Sequence, residues 1–325
     1  MRFLDIGQVQ DIYADGVHDD VKAIQRCLDE MRDGGTIYFP DGTYLISSCL
    51  IFYSNQWLKF SDNAMLLRSA DCEPLTKYML ASYSEPDVGG YEGTHDVVIS
   101  GGIFDGNAKL TEKLTILNTV HCDNIVVKNS KFVHCAYWHC IEFNSTKGAQ
   151  VLDCVFDGTS YTAMREDLTS ELIQIDAPRV GTYGPVYNCD GKLIDFLPDK
   201  TPCRDITIAS CIFKCGGFTA IGHHGNDEHQ DIKIYCNVFT GISGNEERSR
   251  GFITFMEKVH AADISDNAFI STATDNLKSI GISTNNPDTS SLIAENNTFI
   301  GYFSEYFKGG ITENNNDFIK RGSEN

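Results

Sequence analysis

The chain has 325 residues and a formal net charge of −19, with 45 acidic and 26 basic side chains. A surface this acidic repels phosphate backbones, which argues against nucleic-acid binding, and no apolar run approaches the roughly 20 residues of a membrane span. Residues 1–7 lack the apolar segment of a secretory signal, so we expect a cytoplasmic protein, or a secreted one whose signal has been removed.

The first predicted element is an amphipathic helix that begins near residue 20. Its apolar residues recur at helical spacing, at Val21, Ile24, Leu28 and Met31. Asp19 is a suitable N-cap, and the glycine pair at 34–35 ends the helix. The segment 36–46 then predicts strand, turn and strand. A helix in this place would cover the open end of a stack of strands and hide its unpaired edge.

The chain continues with a repeated β-rich segment that closes on a phenylalanine. These residues are Phe104, Phe132, Phe156, Phe213, Phe239, Phe269 and Phe299. Their spacings are 28, 24, 57, 26, 30 and 30 residues, where 57 is either two turns or one turn with an insertion. A period of this size fits a coil of three short strands, which buries its inner face only by stacking. We predict an all-β fold, a right-handed parallel β-helix (solenoid) with a short N-terminal capping α-helix.

We expect a single domain over residues 1–325. The cap and first coil occupy 1–46, and further coils occupy 47–305 with an insertion at 177–200. A C-terminal tail follows at 306–325; its polar part is expected to be poorly ordered, although Ile311 and Phe318 can dock. The twelve cysteines include no CxxC pair, and we interpret most of them as small buried side chains in a reducing compartment.

One strand of each coil is expected to line a groove along the solenoid. The candidate strands are 139–144, 171–176, 220–224, 252–256 and 280–283. In the second of these, alternation turns Gln174 and Asp176 to the same outer face. Glu142 and Asn144 are expected beside them, about 4.8 Å away at backbone level.

Two carboxyl groups in such a groove suit glycoside hydrolysis, in which one protonates the leaving oxygen and the other attacks the sugar or activates water. Asp176 is the first candidate. Asp199, at the end of the insertion, is favoured as its partner, with Glu142 and then Glu171 as alternatives. Glu171 is expected to have the opposite orientation or to lie at the edge of the strand.

The same region supplies candidate sugar-binding groups. Adjacent residues in a strand face opposite sides, so either His223 or His224 should reach the groove, together with Gln174 and Asn144. The insertion offers Arg179 and Tyr183, and Trp138 offers an aromatic platform. The candidate residues do not include the four ligands that a zinc site needs. We therefore predict no cofactor. An insertion directly after Asp176 would wall off one end of the groove and favour an exo-acting enzyme.

Residues 11–46, with Asp15-Gly16 followed by DDVKAIQRCLDEMRDGGTIYFPDGTYLI, resemble the N-terminal cap and first coil of the pectate-lyase-like superfamily, and the coil pattern extends the likeness to about residue 305. That superfamily includes polygalacturonase-type glycosidases, pectate lyases and phage tailspike depolymerases. The resemblance implies the β-helix fold and carbohydrate substrates. Polygalacturonase-type enzymes carry Asn-Thr-Asp, Asp-Asp, Gly-His-Gly and Arg-Ile-Lys motifs.

This chain departs from that motif set. It offers 174–176 (Gln-Ile-Asp) for the first motif and 222–225 (Gly-His-His-Gly) for the third, with no Asp-Asp pair in the corresponding region and no Arg-Ile-Lys. The resemblance therefore implies roles for Asp176 and the histidine pair, but not a galacturonate substrate.

We predict a glycoside hydrolase that cleaves an oligo- or polysaccharide with two carboxyl groups. One alternative is a lyase or epimerase acting on uronic-acid chains, which would need clustered carboxylates for calcium and a basic residue. Another is a non-catalytic carbohydrate-binding or phage-type receptor protein, a class that often forms homotrimers.

Overall fold

A computed structural model describes residues 2–70, 77–107, 114–135, 138–158, 171–180, 185–223, 228–243, 250–256, 259–274 and 279–320. Two of the predicted sugar-binding residues, Tyr183 and His224, lie outside these ranges. Three long parallel sheets dominate the described chain, two of eleven strands and one of nine, and most coils contribute one strand to sheets 1, 2 and 3 in turn. The prediction of a parallel β-helix is confirmed. No helix in the described ranges is long and apolar enough to span a membrane.

The strands of each sheet follow in chain order. Sheet 1 contains Phe3–Asp5, Gly35–Phe39, Gln56–Phe60, His95–Ser100, Asp123–Lys128, Gln150–Leu152, Arg204–Ala209, His229–Tyr235, Val259–Ser265, Leu292–Glu295 and Thr312–Asn314. Sheet 2 contains Asp15–Asp19, Gly42–Ile46, Ala64–Arg68, Ile103–Asp105, Lys131–Val133, Val155–Asp157, Ile212–Gly216, Val238–Ile242, Ala268–Ser271, Thr298–Ile300 and Asp317–Ile319. Sheet 3 contains Leu50–Phe52, Tyr78–Ser82, Thr115–Val120, Ile141–Asn144, Glu171–Asp176, Thr219–His223, Ile253–Phe255, Ile280–Thr284 and Glu305–Lys308.

A single α-helix in the described chain, Val21–Glu30, closes the N-terminal end of the stack, preceded by a 3-10 turn at Ile6–Gln8. The helix begins one residue later than predicted, since Asp20 occupies the N-cap position. Gln25 terminates sheet 3: its Nε2 donates to the carbonyl of Ile51, and its Oε1 accepts from the Ile51 amide at 2.8 Å. The side-chain amide thus takes the place of a neighbouring strand and satisfies the exposed edge.

The repeated phenylalanines form a ladder inside sheet 2. The strand register pairs each of them with the next, from Phe104 to Phe299 and on to Phe318. Their ring centres lie 4.7–5.5 Å apart in near-parallel stacks. Because Phe156 pairs directly with Phe213, the spacing of 57 residues is one coil with an insertion. Residues of all three sheets join this ladder in a continuous core.

The corner between sheets 1 and 2 has the same build in most coils. Two residues link the strands; the first has a positive φ, as in Asn129 (54°), Asp266 (56°) and Asn296 (53°), a conformation that Asn and Asp tolerate. The second residue points inward. In the last coils it is an asparagine: the Oδ1 of Asn267 accepts from the Asn237 amide at 2.9 Å, and its Nδ2 donates to the Ile234 carbonyl at 2.8 Å.

The C-terminal prediction needs correction. The chain does not leave the fold at residue 306, because Glu305–Lys308, Thr312–Asn314 and Asp317–Ile319 add a strand to each sheet. Phe318 provides the last rung of the phenylalanine ladder, 5.5 Å from Phe299. The described cysteines are free, and all are buried except Cys189 and Cys236, which agrees with their interpretation as apolar packing groups.

Replacing a central rung of the ladder should cost far more than replacing the last one. We expect Phe213→Ala, at a fully buried position, to lower the free energy of unfolding by about 3–5 kcal/mol, because it removes apolar contacts and leaves a cavity. Phe318→Ala is the matched control, since that side chain is 45% exposed. Equilibrium denaturation of both variants measures the difference, and equal losses would contradict the stacking argument.

Candidate functional site

The predicted groove strands all belong to sheet 3, and their outer residues form polar rows across neighbouring coils. Glu142 and Gln174 are cross-strand partners, as are Asn144 and Asp176. Asn118 precedes Glu142 in the same row. These side chains are close to the protein surface but mostly covered, with 7% of Glu142 and 5% of Asp176 exposed.

Glu171 also faces outward, contrary to the expected opposite or edge orientation. The reason is an irregularity in the strand: Leu172 and Ile173 both lie in the core, so alternation is broken between them. The Cγ of Glu171 consequently lies 2.8 Å from the place that a Cβ on Gly222 would occupy. Gly222 is the cross-strand partner of Gln174, so Glu171 leans toward the polar row.

Glu142 is held by uncharged donors. Its Oε2 accepts from Thr115 Oγ1 and Asn118 Nδ2, both at 3.2 Å. Its Oε1 accepts from Asn144 Nδ2 at 3.2 Å. Two donors from the preceding strand, Thr115–Val120, and one from the strand of Glu142 itself fix the carboxyl group in one orientation.

Asp176 has a different environment. Its Oδ1 accepts from the Ala177 amide at 2.8 Å and lies 4.0 Å from Arg179 NH1, while Oδ2 accepts from Gln174 Nε2 at 3.2 Å. A guanidinium near a carboxylate stabilises its charged form. Gln174 thus lies beside Asp176 on one face, as predicted, and Arg179 of the insertion lies next to them.

Glu171 is bound to two groups that sequence reasoning missed as site residues. Arg250 NH1 donates to its Oε1 at 2.5 Å, and His139 Nδ1 lies 3.7 Å from its Oε2. Only 1% of the Glu171 side chain is exposed. Burial lowers the pKa of His139, an effect that the nearby Glu171 partly opposes. Because it is buried and bound to Arg250 and His139, Glu171 stabilises the fold at this position.

Asp199, the favoured partner of Asp176, lies in a different setting. Its Oδ2 accepts from the Gly90 amide at 2.7 Å, and Oδ1 accepts from the Thr201 amide at 2.9 Å. Desolvation raises the pKa of Asp199, but the Gly90 and Thr201 hydrogen bonds outweigh it and lower the pKa overall. The residue anchors two loops to each other, and none of these contacts reaches the polar row.

His223 belongs to the core face of sheet 3. It is the cross-strand partner of Phe255, and its ring centre lies 5.0 Å from that of His229 and 5.5 Å from that of Phe255. Of the two adjacent histidines, His223 is therefore not the one that reaches the groove.

The described part of the insertion covers the first coils of sheet 3. Val186–Tyr187 and Leu193–Ile194 form an antiparallel pair. Val186 and Ile194 pack on an outer apolar patch that includes Tyr78, Ala81 and Val120, and Trp138 packs at its margin. This packing agrees with the prediction that the insertion walls off one end of the groove.

Thr219 adds a polar group that the sequence analysis did not select. It lies opposite Glu171 on the next strand and is 1% exposed, and its hydroxyl has no hydrogen-bond partner within the described ranges. Alignment of the strands by coil would have identified Thr115, His139 and Thr219 as one outer row. Arg250 gave no such signal, since it precedes its strand.

A family model described as rhamnogalacturonase A/epimerase, pectate lyase-like, matches residues 9–59. Plasmin and fibronectin-binding protein A of Streptococcus pneumoniae is 27% identical over 279 residues, which cover 77% of this chain and 38% of that protein. The chain thus spans well under half the length of this curated relative.

Solved structures show the same architecture. The S. pneumoniae surface protein and adhesin PfbA gives a TM-score of 0.64 at 18% identity, covering 98% of this chain and 97% of that one. An exopolygalacturonase from Thermotoga maritima gives 0.62 at 13%, covering 95% and 76%. A tailspike protein of E. coli bacteriophage HK620, in complex with a pentasaccharide, gives 0.56 at 12%, covering 98% and 66%.

These folds show that the chain is a parallel β-helix protein, and the family match over residues 9–59 agrees with the pectate-lyase-like resemblance of its N-terminal segment. The similar proteins include an adhesin and a glycosidase. Its chemistry is therefore argued from the site.

Burial makes His229 a source of acid sensitivity next to the site. Desolvation, with a further contribution from Arg179, lowers its pKa from 6.5 to about 3, and its Nδ1 accepts from the Cys203 amide at 2.9 Å. The unfolded chain binds a proton below pH 6.5 and the folded chain does not, so the contribution to stability is complete above pH 6.5 and is lost as the pH falls toward 3.

We expect the free energy of unfolding of the wild type to fall more steeply below pH 6.5 than that of His229→Gln, by up to about 1.4 kcal/mol per pH unit. The glutamine keeps an acceptor for the Cys203 amide but has no proton to gain. Denaturation midpoints between pH 4 and 7 measure the slopes. Parallel slopes would show that His229 does not titrate in this way.

Proposed function

We propose that this protein is a glycoside hydrolase in which Glu142 and Asp176 are the two reacting carboxyl groups. The observation that carries the proposal is their position on one face of two adjacent strands of sheet 3. Glu142 pairs with Gln174, and Asp176 lies two residues further along that strand. Both retain some exposure, whereas Glu171 is almost completely covered. Asp176 remains the first candidate, and Glu142 replaces Asp199 as its partner.

The register also indicates the stereochemical outcome. Diagonal neighbours two residues along an adjacent strand lie about 7–8 Å apart. A separation of about 6.5–9.5 Å leaves room for a water molecule between the two carboxyl groups and is typical of inverting enzymes, whereas retaining enzymes need about 5–5.5 Å. We therefore assign a single-displacement mechanism.

The environments of the two groups suggest their roles. Arg179, 4.0 Å from Asp176, favours an ionised base that activates water. Glu142, held by the uncharged Thr115, Asn118 and Asn144, is the better acid for the leaving oxygen. Gln174, whose Nε2 donates to Asp176, is the candidate to bind a sugar hydroxyl beside the two carboxyl groups.

A neutral sugar suits this site better than a uronate. Arg250, a cation beside the row, is engaged by Glu171, and Arg179 lies beside Asp176. Because these cations are already engaged, a lyase or epimerase acting on uronic-acid chains is the weaker alternative.

The insertion hairpin over the first coils favours attack near a chain end.

Removal of either carboxyl group should stop glycoside cleavage. We expect Asp176→Asn and Glu142→Gln to lower kcat by about 10²–10⁴, since each removes a proton-transfer group. Asp199→Asn is the matched control and should retain activity, because that carboxylate anchors loops. Reducing sugar and unsaturated products released from a glycan panel are read together, which also separates hydrolase from lyase.

Activity that survives both groove variants, or that is lost in Asp199→Asn alone, would show that the assigned pair is wrong. With an active substrate, the first anomer released should have the configuration opposite to that of the bond cleaved. NMR spectra recorded during hydrolysis follow the product before mutarotation. Retention would exclude the single-displacement assignment.

A second candidate function is glycan or protein binding at a cell surface without catalysis. It is favoured by the similarity to a pneumococcal surface adhesin and by the hydrogen bonds that already occupy Glu142 and Asp176. That similarity also favours the secreted alternative over the cytoplasmic expectation. A panel in which the wild type cleaves nothing but still binds a glycan would support this function.

A further inference from the structure

A cavity of about 260 Å³ lies at the turn that leads from sheet 3 back to sheet 1 in the first coils. Its walls include Arg32, which follows the capping helix, and Tyr53 and Tyr83, which directly follow the first two strands of sheet 3. Val88 and Glu92, from the loop that follows Tyr83, also line the cavity. We call this cavity the tyrosine pocket.

The aromatic wall of the pocket is fixed before any ligand arrives. The Arg32 guanidinium lies 4.8 Å from the ring centre of Tyr53 and 4.7 Å from that of Tyr83. The Tyr53 hydroxyl donates to Asp29 at 2.7 Å, and the Tyr83 hydroxyl donates to Glu85. Because these side chains are already ordered, a ligand would lose little affinity to ordering them.

Ser84 supplies a polar group that the fold itself does not use. The residue is 6% exposed, and its hydroxyl has no hydrogen-bond partner in the described chain. Neighbouring groups of the pocket are engaged: Thr94 Oγ1 donates to the Tyr83 carbonyl at 2.9 Å, and Ser54 Oγ accepts from the His95 amide at 3.0 Å. An unpaired buried hydroxyl is unfavourable, and a hydroxyl-bearing ligand would relieve it.

The tyrosine pocket is separate from the carboxylate site. The apolar patch under Val186 and Ile194 lies between them, since Tyr53 and Tyr83 pack at one margin of that patch and Val120 adjoins Asn144 at the other. Two coil steps separate the second strand of sheet 3 from the strand of Glu142, and three separate it from that of Asp176, which is about 10–14 Å. One sugar ring cannot occupy both places.

We propose that the tyrosine pocket is a second carbohydrate-binding site, which takes a single neutral sugar ring. Tyrosine rings offer apolar faces for the C–H face of a pyranose, and the Ser84 hydroxyl and the carboxylates bind its hydroxyls. Glu85 and Glu92 outnumber Arg32, so the local charge opposes uronates and phosphates. The site goes beyond the proposed hydrolysis, and its occupancy does not depend on Glu142 or Asp176.

Binding is tested on the full chain with methyl hexopyranosides and, as the acidic arm, methyl galacturonide. Saturation-transfer NMR detects contact, and titration calorimetry gives the Kd. We expect neutral sugars to bind, Val88→Trp to abolish binding by filling the pocket, and Ser84→Ala to weaken it roughly fivefold through one lost hydrogen bond. The control Val180→Trp, at a position 86% exposed, should bind like the wild type.

Several results would overturn the proposal. These are the absence of contact with every neutral sugar, binding that persists in both Val88→Trp and Ser84→Ala, or galacturonide binding as tight as that of neutral sugars. Binding lost in Asp176→Asn and kept in Val88→Trp would place the sugar in the groove instead. Unchanged glycoside cleavage in Val88→Trp would separate this site from the proposed active site.

Discussion

The stacking of identical side chains on successive coils is the constraint on which the rest of the structure depends. No coil has an interior of its own, so each inward residue is buried only by its counterparts above and below. The phenylalanine ladder meets this requirement with ring centres 4.7–5.5 Å apart, a spacing set by the backbone hydrogen bonds. Stacked aromatic pairs add about 0.5–1.5 kcal/mol each beyond the area they bury. The same spacing between strands separates the outer side chains of neighbouring coils, so the stacking of the core also sets the distances within the polar cluster on sheet 3.

The fold was predictable because this constraint leaves a periodic mark on the sequence. Phe104 to Phe299 and the helix at Val21–Glu30 follow from apolar spacing alone. The spacing of 57 residues could not be resolved, because an insertion and an extra coil have the same length. The C-terminal coil was missed since its strands, such as Thr312–Asn314, are short and polar.

The candidate site was predictable only where strand alternation holds. Asp176, Gln174, Glu142 and Asn144 were placed correctly on one face. Glu171 was misplaced, because a break in alternation at Leu172–Ile173 depends on pairing with neighbouring coils. Alternation also cannot say which of two adjacent histidines faces inward, and the long-range contact of Asp199 with Gly90 has no local signal.

The two-residue corner between sheets 1 and 2 has a consequence for how such a protein can change. From the strand His95–Ser100 onward, two residues separate the strands on either side of it, as at Asn129–Ser130 and Asn296–Asn297, whereas longer links occur in the first coils. The coil that contains the insertion at 177–200 keeps the same corner. In these later coils, additional length therefore lies in the turns that border sheet 3. New loops arise beside the outer rows and leave the interior untouched, so recognition can diversify at little risk to folding.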